Sequence, residues 1–264
     1  MTDVSVIVVD AGGGEMLRAC LNSIRAQTLP PLEVLIHDNS ETNIGFAAGV
    51  NAAYAKSRGE YIALVNNDAV LDADWLETVA RALDDDPKLA AVQTINRRDA
   101  TTIDGAGIDI GDGTFRQLAS GQRAVGSEQR AGDLDSRSLL AATCSLAWGV
   151  SATAALYRRT AIGERFFDPA FFAYYEDVDL CARLHEEGWT TRVLPVVKVT
   201  HRGSASASIL GSDALRLRTR NRYWVARRHR GVGRAGALLW EDAKAFVKKP
   251  SIARLRGVWE GWRT

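Results

Sequence analysis

Apolar residues recur along this 264-residue chain with two different periods, and the switches between them mark out its elements. Val4 to Val9 is an unbroken apolar, β-branched run, the pattern of a strand buried on both faces. A glycine cluster, Gly12 to Gly14, comes next, and Leu17, Cys20, Leu21 and Ile24 then repeat at the spacing of an amphipathic helix. Pro30 and Pro31 stop that helix, and Glu33 to His37 reads as the next strand. Ala47 to Lys56 predicts a helix ending before Gly59, and Tyr61 to Val65 a third strand running into Asn66-Asn67-Asp68. Beyond it, Asp74 and Glu77 stand at capping-box spacing ahead of an apolar face of Leu76, Val79, Ala80 and Leu83. Alternation of strand and helix predicts an α/β fold whose sheet is mainly parallel, with right-handed crossovers.

The pattern breaks at about residue 96. From there to about residue 137 the chain is rich in Gly, Asp, Ser and Arg with little periodicity, which reads as one long loop. Leu139 to Tyr157 restores regular structure, Val178 to Glu187 predicts a helix, and Arg192 to Val199 a last strand. Ser138 to Tyr157 carries no charge, yet its Ser, Thr and Gly content points to buried core rather than a membrane span. The rest of the chain after about Gly211 reads as helical, dividing it into an α/β domain at 1–210 and a helical extension at 211–264.

Charge sharpens that division. The net charge is only +1, but residues 214–264 hold 14 Lys and Arg against 3 Asp and Glu, leaving 19 against 29 in the remainder. A basic tail with interleaved Tyr223, Trp224, Trp259 and Trp262 suits a helix lying in a lipid interface. The same charges would also suit a solvated face packed on the acidic domain; nucleic acid is not expected, since no recognised nucleic-acid motif is present. Cys20, Cys144 and Cys181 are too few and too scattered for a disulfide framework or a zinc site, which points to a reducing compartment. The start of the chain lacks the basic and apolar regions of a signal peptide.

Candidate chemistry lies at strand ends, where open α/β sheets bind ligands. Asp10 ends the first strand, Asp38-Asn39 the second, and Asn66-Asn67-Asp68 the third. Glu176 and Asp177 form an adjacent carboxylate pair behind Tyr174-Tyr175 at a helix start, a place that suits either chemistry or simple capping. His201 stands just past the last strand. The run Gly12-Gly13-Gly14 lacks the spaced glycines of a dinucleotide fingerprint, which argues against a nucleotide-dependent oxidoreductase.

Taken in order, these stretches resemble one family. VSVIVV near the start, HDNS at 37–40, NIGFAAGVNAAY at 43–54, GEYIALVNNDAVLDADWL at 59–76, WGVSATAALYRR at 148–159, FFAYYEDVDLCARLHEEGW at 171–189 and VTHRGSAS at 199–206 are similar to family 2 glycosyltransferases, nearest to the bacterial rhamnosyltransferase-like branch. The resemblance implies a GT-A fold: a mixed, mainly parallel sheet flanked by helices. It implies that Asp68 and His201 hold Mg²⁺ or Mn²⁺, that Asp38 reads the nucleotide base, and that Gly45 and Asn51 line the nucleotide-sugar. Asp10, Asn66 and Asn67 would complete the donor site, with Trp148 against a sugar ring. Asp177 would be the catalytic base of an inverting transfer, with Glu176 orienting it or the acceptor. The donor implied is a dTDP- or UDP-sugar, rhamnose among the candidates. The acceptor would be a cell-surface polysaccharide or lipid-linked glycan at the cytoplasmic, inner face of the cell membrane. The alternative is a non-catalytic carbohydrate-binding or scaffold protein. The connection from Ser40 to Asn43 is shorter than the family's, which implies a smaller sheet and a more open nucleotide pocket.

Overall fold

The computed structural model describes residues 3–110, 116–118, 144–203 and 210–263. Its central sheet runs in the order β2-β1-β3-β9-β5-β10-β4, with β6 added on β5. These strands are β1 (Val4–Asp10), β2 (Glu33–Asp38), β3 (Tyr61–Val65), β4 (Ala69–Leu71), β5 (Leu89–Arg97), β6 (Ile103–Gly105), β9 (Ala154–Arg158) and β10 (Thr190–His201). A separate pair is formed by β7 (Ile108–Asp109) and β8 (Arg116–Gln117). Pairing is parallel across β2-β1-β3 and between β5 and β10. Between these groups β9 runs antiparallel to both β3 and β5, so the sheet is mixed, as expected.

Strand alternation sends side chains to two apolar layers. Val4, Val6 and Val8 meet α1 (Glu15–Arg25) and α3 (Trp75–Asp84) on one face, through Cys20, Ile24, Trp75, Leu76, Val79 and Leu83. Ile7, Ile62 and Leu64 meet α2 (Phe46–Tyr54), the short α4 (Arg159–Ile162) and α5 (Glu176–Glu186) on the other, through Val50, Tyr54, Ile162, Leu180 and Leu184. Each large side chain fully buried this way contributes about 1.5–3 kcal/mol. At the edge, β2 alternates differently: Val34 and Ile36 are exposed on its outer side.

Two local expectations are corrected. Asp74 starts α3 but makes no side-chain cap; its carboxylate binds Lys198 Nζ at 2.7 and 2.8 Å, and Glu77 accepts from Thr28 Oγ1 instead. The stretch expected as one loop from residue 96 begins with ordered β-structure, because β5 extends to Arg97 and turns back as β6. Most of the remaining stretch, 111–115 and 119–143, lies outside the described residues, as do 204–206 of the last motif.

The basic extension is three helices: α6 (Ser212–Arg230), α7 (Val232–Lys248) and α8 (Ile252–Arg263). α8 lies close along α6 because Gly257 and Gly261 have no side chains. A Cβ on Gly257 would meet the Arg216 carbonyl oxygen at 2.5 Å, and one on Gly261 would meet Tyr223 Cβ at 2.7 Å. α6 in turn packs Val225 against Phe171, Val178 and Ile108.

Candidate functional site

A cleft of about 510 Å³ opens at the ends of these strands, lined by Asn66, Asp68, Arg98, Asp104, Ser151–Thr153, Tyr174–Val178, His201 and Arg218 among others. β3 runs out at Val65 and the chain turns through Asn66-Asn67-Asp68 into β4. β4 pairs antiparallel with the end of β10, setting His201 opposite Ala69. That register brings His201 Nε2 to 3.1 Å from Asp68 Oδ1. On the other side of the ring, Nδ1–H donates to Asp104 Oδ2 at 2.8 Å, and Asp104 also pairs with Arg98 at 3.0 Å. Burial works against a charge on the imidazole, but the hydrogen bonds to Asp104 and Asp68 outweigh it and hold the proton up to about 9.

The carboxylate pair occupies the opposite wall. Glu176 and Asp177 begin α5, and the residues leading into it are bent into the left-handed region: Phe172, Tyr174 and Tyr175 have φ of 64°, 70° and 69°. Such conformations are costly for side-chain-bearing residues and persist only where surroundings impose them. Here the surroundings are identifiable. Gly45, itself at φ 90°, lets the Phe172 ring and carbonyl approach so closely that a Cβ would sit 2.7 Å from both. Asn221 of α6, fully buried, directs its single Nδ2 at the carbonyls of Phe171, Ala173 and Tyr174 at 2.9, 2.9 and 2.7 Å. Arg220 adds donors to Ala170 and Phe171.

The two acids differ in their surroundings. Asp177 accepts from the N–H groups of Ala152 at 3.2 Å and Val178 at 2.9 Å, whereas Glu176 Oε2 is buried with no partner. Burial raises both from their ordinary values, and the charge of Asp177 raises Glu176 further, to about 8. The backbone donors oppose the shift at Asp177, so Glu176 is the member of the pair pushed further toward its protonated form.

The other residues expected at the site divide into two groups. Asn66 lines the cleft with Asp68 and His201, whereas Asp10, Asp38, Gly45 and Asn67 lie outside its lining, close to the same strand ends. Asp10 accepts from the N–H groups of Gly12 and Gly13 and from Asn67 Nδ2 at 2.7 Å, which ties the loop after β1 to the turn after β3. Asp38 is exposed at the end of β2 and accepts from the Ser40 N–H. Its neighbour Asn39 is buried and pins the shortened connection through Gly45 O and the Ile44 N–H. Asn51 and Trp148 are placed elsewhere. Asn51 clasps both backbone groups of Phe167, at 2.8 and 2.9 Å, and Trp148 stacks on His185 at 4.9 Å; neither lines the cleft. Asp104, Arg98, Asn221 and Arg218 were missed, having no motif around them; Arg218 stands 4.3 Å over the Tyr174 ring.

Part of the cationic tail packs on the acidic domain, the second of the two readings its charges allowed. Arg228 pairs with Asp168 and Asp179, His229 with Asp179 and Glu186, and Arg216 and Arg222 with carboxylates of α8 and α7. Trp224 meets Phe171 edge-on and Tyr223 is buried. α6 thus packs against the sheet domain, where Arg228 and His229 find their counter-charges, while Arg216 and Arg222 find theirs on α8 and α7.

Comparison with known proteins agrees with this fold. Residues 39–166 match the family model Glycosyl transferase family 2, a span that includes Asn66–Asp68 and stops short of Glu176, Asp177 and His201. No curated protein matches. Among solved structures, the chain is similar to the mannosyltransferase PcManGT from Pyrobaculum calidifontis in complex with GDP-Man and Mn²⁺, at 15% identity and a TM-score of 0.59, covering 99% of this chain and 89% of that one. It is also similar to S. aureus TarS 1–349 in complex with UDP, at 16% identity and a TM-score of 0.55, covering 95% and 76%. At such identities the likeness establishes the fold, a mixed α/β sheet of the GT-A kind flanked by helices.

Proposed function

We propose that this chain, which carries a glycosyl transferase family 2 match over 39–166, transfers a sugar from a nucleotide-diphospho-sugar to a hydroxyl acceptor with inversion at the anomeric carbon. The observation that carries this is the buried pair Glu176–Asp177 facing the same cleft as Asp68 and His201. Asp177, its proton affinity raised by burial, takes the proton of the acceptor hydroxyl. The acceptor oxygen forms the new bond to the anomeric carbon as the bond to the diphosphate breaks, and the departing nucleoside diphosphate leaves with the electron pair. Base catalysis of this kind contributes about 10²–10⁴-fold. Glu176, protonated, donates to the acceptor or to Asp177 and holds them in line.

Asp68 and His201 suit a divalent cation, Mg²⁺ or Mn²⁺. They offer a hard oxygen and an imidazole nitrogen; Asp104 engages the other ring nitrogen, and an ion would take Nε2 in place of the proton that Nε2 now shares with Asp68. Among the described residues no group of three or more His, Cys, Asp or Glu is placed to hold a metal, so substrate phosphates would have to supply the remaining ligands. When bound, it neutralises charge on the leaving diphosphate as a Lewis acid. The donor is a dTDP- or UDP-sugar, rhamnose among the candidates, placed by Asp10, Asp38 and Asn67 at the strand ends. Similar structures bound to GDP-Man with Mn²⁺ and to UDP support a nucleoside diphosphate with a divalent ion. The acceptor is a polysaccharide or lipid-linked glycan at the inner face of the cell membrane.

Thermal melting with UDP, dTDP or GDP, each with and without Mn²⁺, tests the donor site. A nucleotide at about 100 times its Kd adds roughly 2.7 kcal/mol of stability. The Asp177→Asn variant should keep that metal-dependent stabilisation and lose transfer by at least about 10²-fold. Unchanged turnover in that variant removes Asp177 as base. No nucleotide response in wild type would favour a non-catalytic carbohydrate-binding or scaffold role.

A further inference from the structure

Among the described residues, the outer faces of α7 and α8 carry the most exposed tryptophans, interleaved with cations. α7 turns Ala235, Leu238 and Asp242 inward, all buried, and α8 turns Gly257 and Gly261 onto α6. The opposite faces carry large apolar side chains in the open: Trp240 is 67% exposed, Val247 82%, Ile252 73% and Trp259 59%. Cations share those faces at helical spacing. Lys244 and Lys248 stand four and eight residues on from Trp240; Arg256 and Arg263 flank Trp259, and Lys249 lies in the turn between the helices. Lys244 Nζ lies 5.1 Å from the Trp240 ring centre, and the Arg263 guanidinium 4.2 Å from that of Trp259.

The acids of these two helices are directed the other way. Asp242 accepts from Arg222 at 2.6 Å and from the Tyr223 hydroxyl at 2.7 Å, Glu241 pairs with Arg222, and Glu260 with Arg216 at 2.7 Å. Among the described residues, Lys244, Lys248, Lys249, Arg256 and Arg263 have no carboxylate partner. Carboxylates inward and cations outward leave a surface that is apolar and positive together.

We infer that this face docks on an anionic lipid surface, with Trp240, Val247, Ile252 and Trp259 entering the headgroup layer and the five cations meeting lipid phosphates. Tryptophan and lysine on one helix face suit that boundary, where rings sit at headgroup depth and lysine stems reach outward. A second copy of the chain fits worse, since two such faces would oppose cation to cation. No described helix is long and apolar enough to cross a membrane, so the contact is one of lying on the bilayer. The surface would hold the cleft beside a lipid-linked acceptor, and in that purpose it rests on the proposed function.

Sedimentation of the full chain with phosphatidylcholine vesicles, with and without phosphatidylglycerol, tests the inference. Binding should require the anionic lipid and weaken with salt. Trp240→Ser with Trp259→Ser, and Lys248→Glu with Lys249→Glu, should each lower vesicle partitioning by about tenfold or more. Arg25→Glu, an exposed cation of α1, should leave it unchanged. Binding to neither vesicle, or equally to both, overturns the inference. So does a dimer in sedimentation velocity that the same substitutions dissolve, which would make the face a self-interface. The assay contains no nucleotide or sugar: vesicle binding without transfer would leave the surface and remove the proposed function, and the reverse would do the opposite.

Discussion

Glu176 and Asp177 are neighbours in the chain, but the surroundings of each assign them different states. A carboxyl whose folded pKa lies above its ordinary 4.5 binds protons more tightly folded than unfolded. Stability is then lost as pH rises from that ordinary value through the folded one. Glu176→Gln, which removes the titration, should therefore melt like wild type near pH 4 and be more stable at neutral pH by on the order of 2 kcal/mol. A constant difference at all pH values would show that Glu176 is not the proton holder. Asn221 belongs to the same scale. Asn221→Ala leaves the Phe171, Ala173 and Tyr174 carbonyls without their donor, which should cost about 1–3 kcal/mol. Because that loop sets the position of the acid pair, kcat should fall while the KM for donor stays near wild type. Loss of stability with kcat unchanged would make Asn221 only a fold residue.

Elements show where pattern reading succeeds and where it is overruled. β1 and β3 are continuous apolar runs because both of their faces are covered, and the alternation was legible at once. α3 formed where its apolar stripe lies, but its expected cap was diverted, since Lys198 on β10 offers Asp74 a full charge. The contact of α8 with α6 depends on absent side chains. Gly257→Val would press its side chain into the Arg216 carbonyl and Thr219, and should lower stability by about 1–3 kcal/mol. A melting temperature equal to wild type would show that the helices can separate at no cost.

For the whole molecule, the basic extension and the acidic domain form one body. α6 supplies Asn221 to the strained loop, Arg228 and His229 to acids of the domain, and Val225 to an apolar cluster with Phe171 and Val178. We expect a chain ending at residue 210 to melt at least about 10 °C lower than the full chain, or not to fold. Melting at the wild-type temperature would make 1–210 an independent domain.

The sequence alone determined what depends on neighbours in the chain: the strand and helix order of the first half, the acids at strand ends, and the charge divide near residue 211. It did so because covered strands and amphipathic helices leave periodic patterns, and because ionic residues at such ends are costly without a purpose. Only the tertiary structure decided which of these residues meet. Asp104 and His201 lie 97 positions apart and touch through the pairings of β5 with β6 and of β4 with β10. Asn221 reaches a loop some 50 positions earlier, and Asn51 and Trp148 turn to Phe167 and His185 rather than the cleft. Whether a basic residue points outward or meets a buried carboxylate was likewise settled by packing, since charge composition is the same for both and the counter-charge comes from a distant part of the chain.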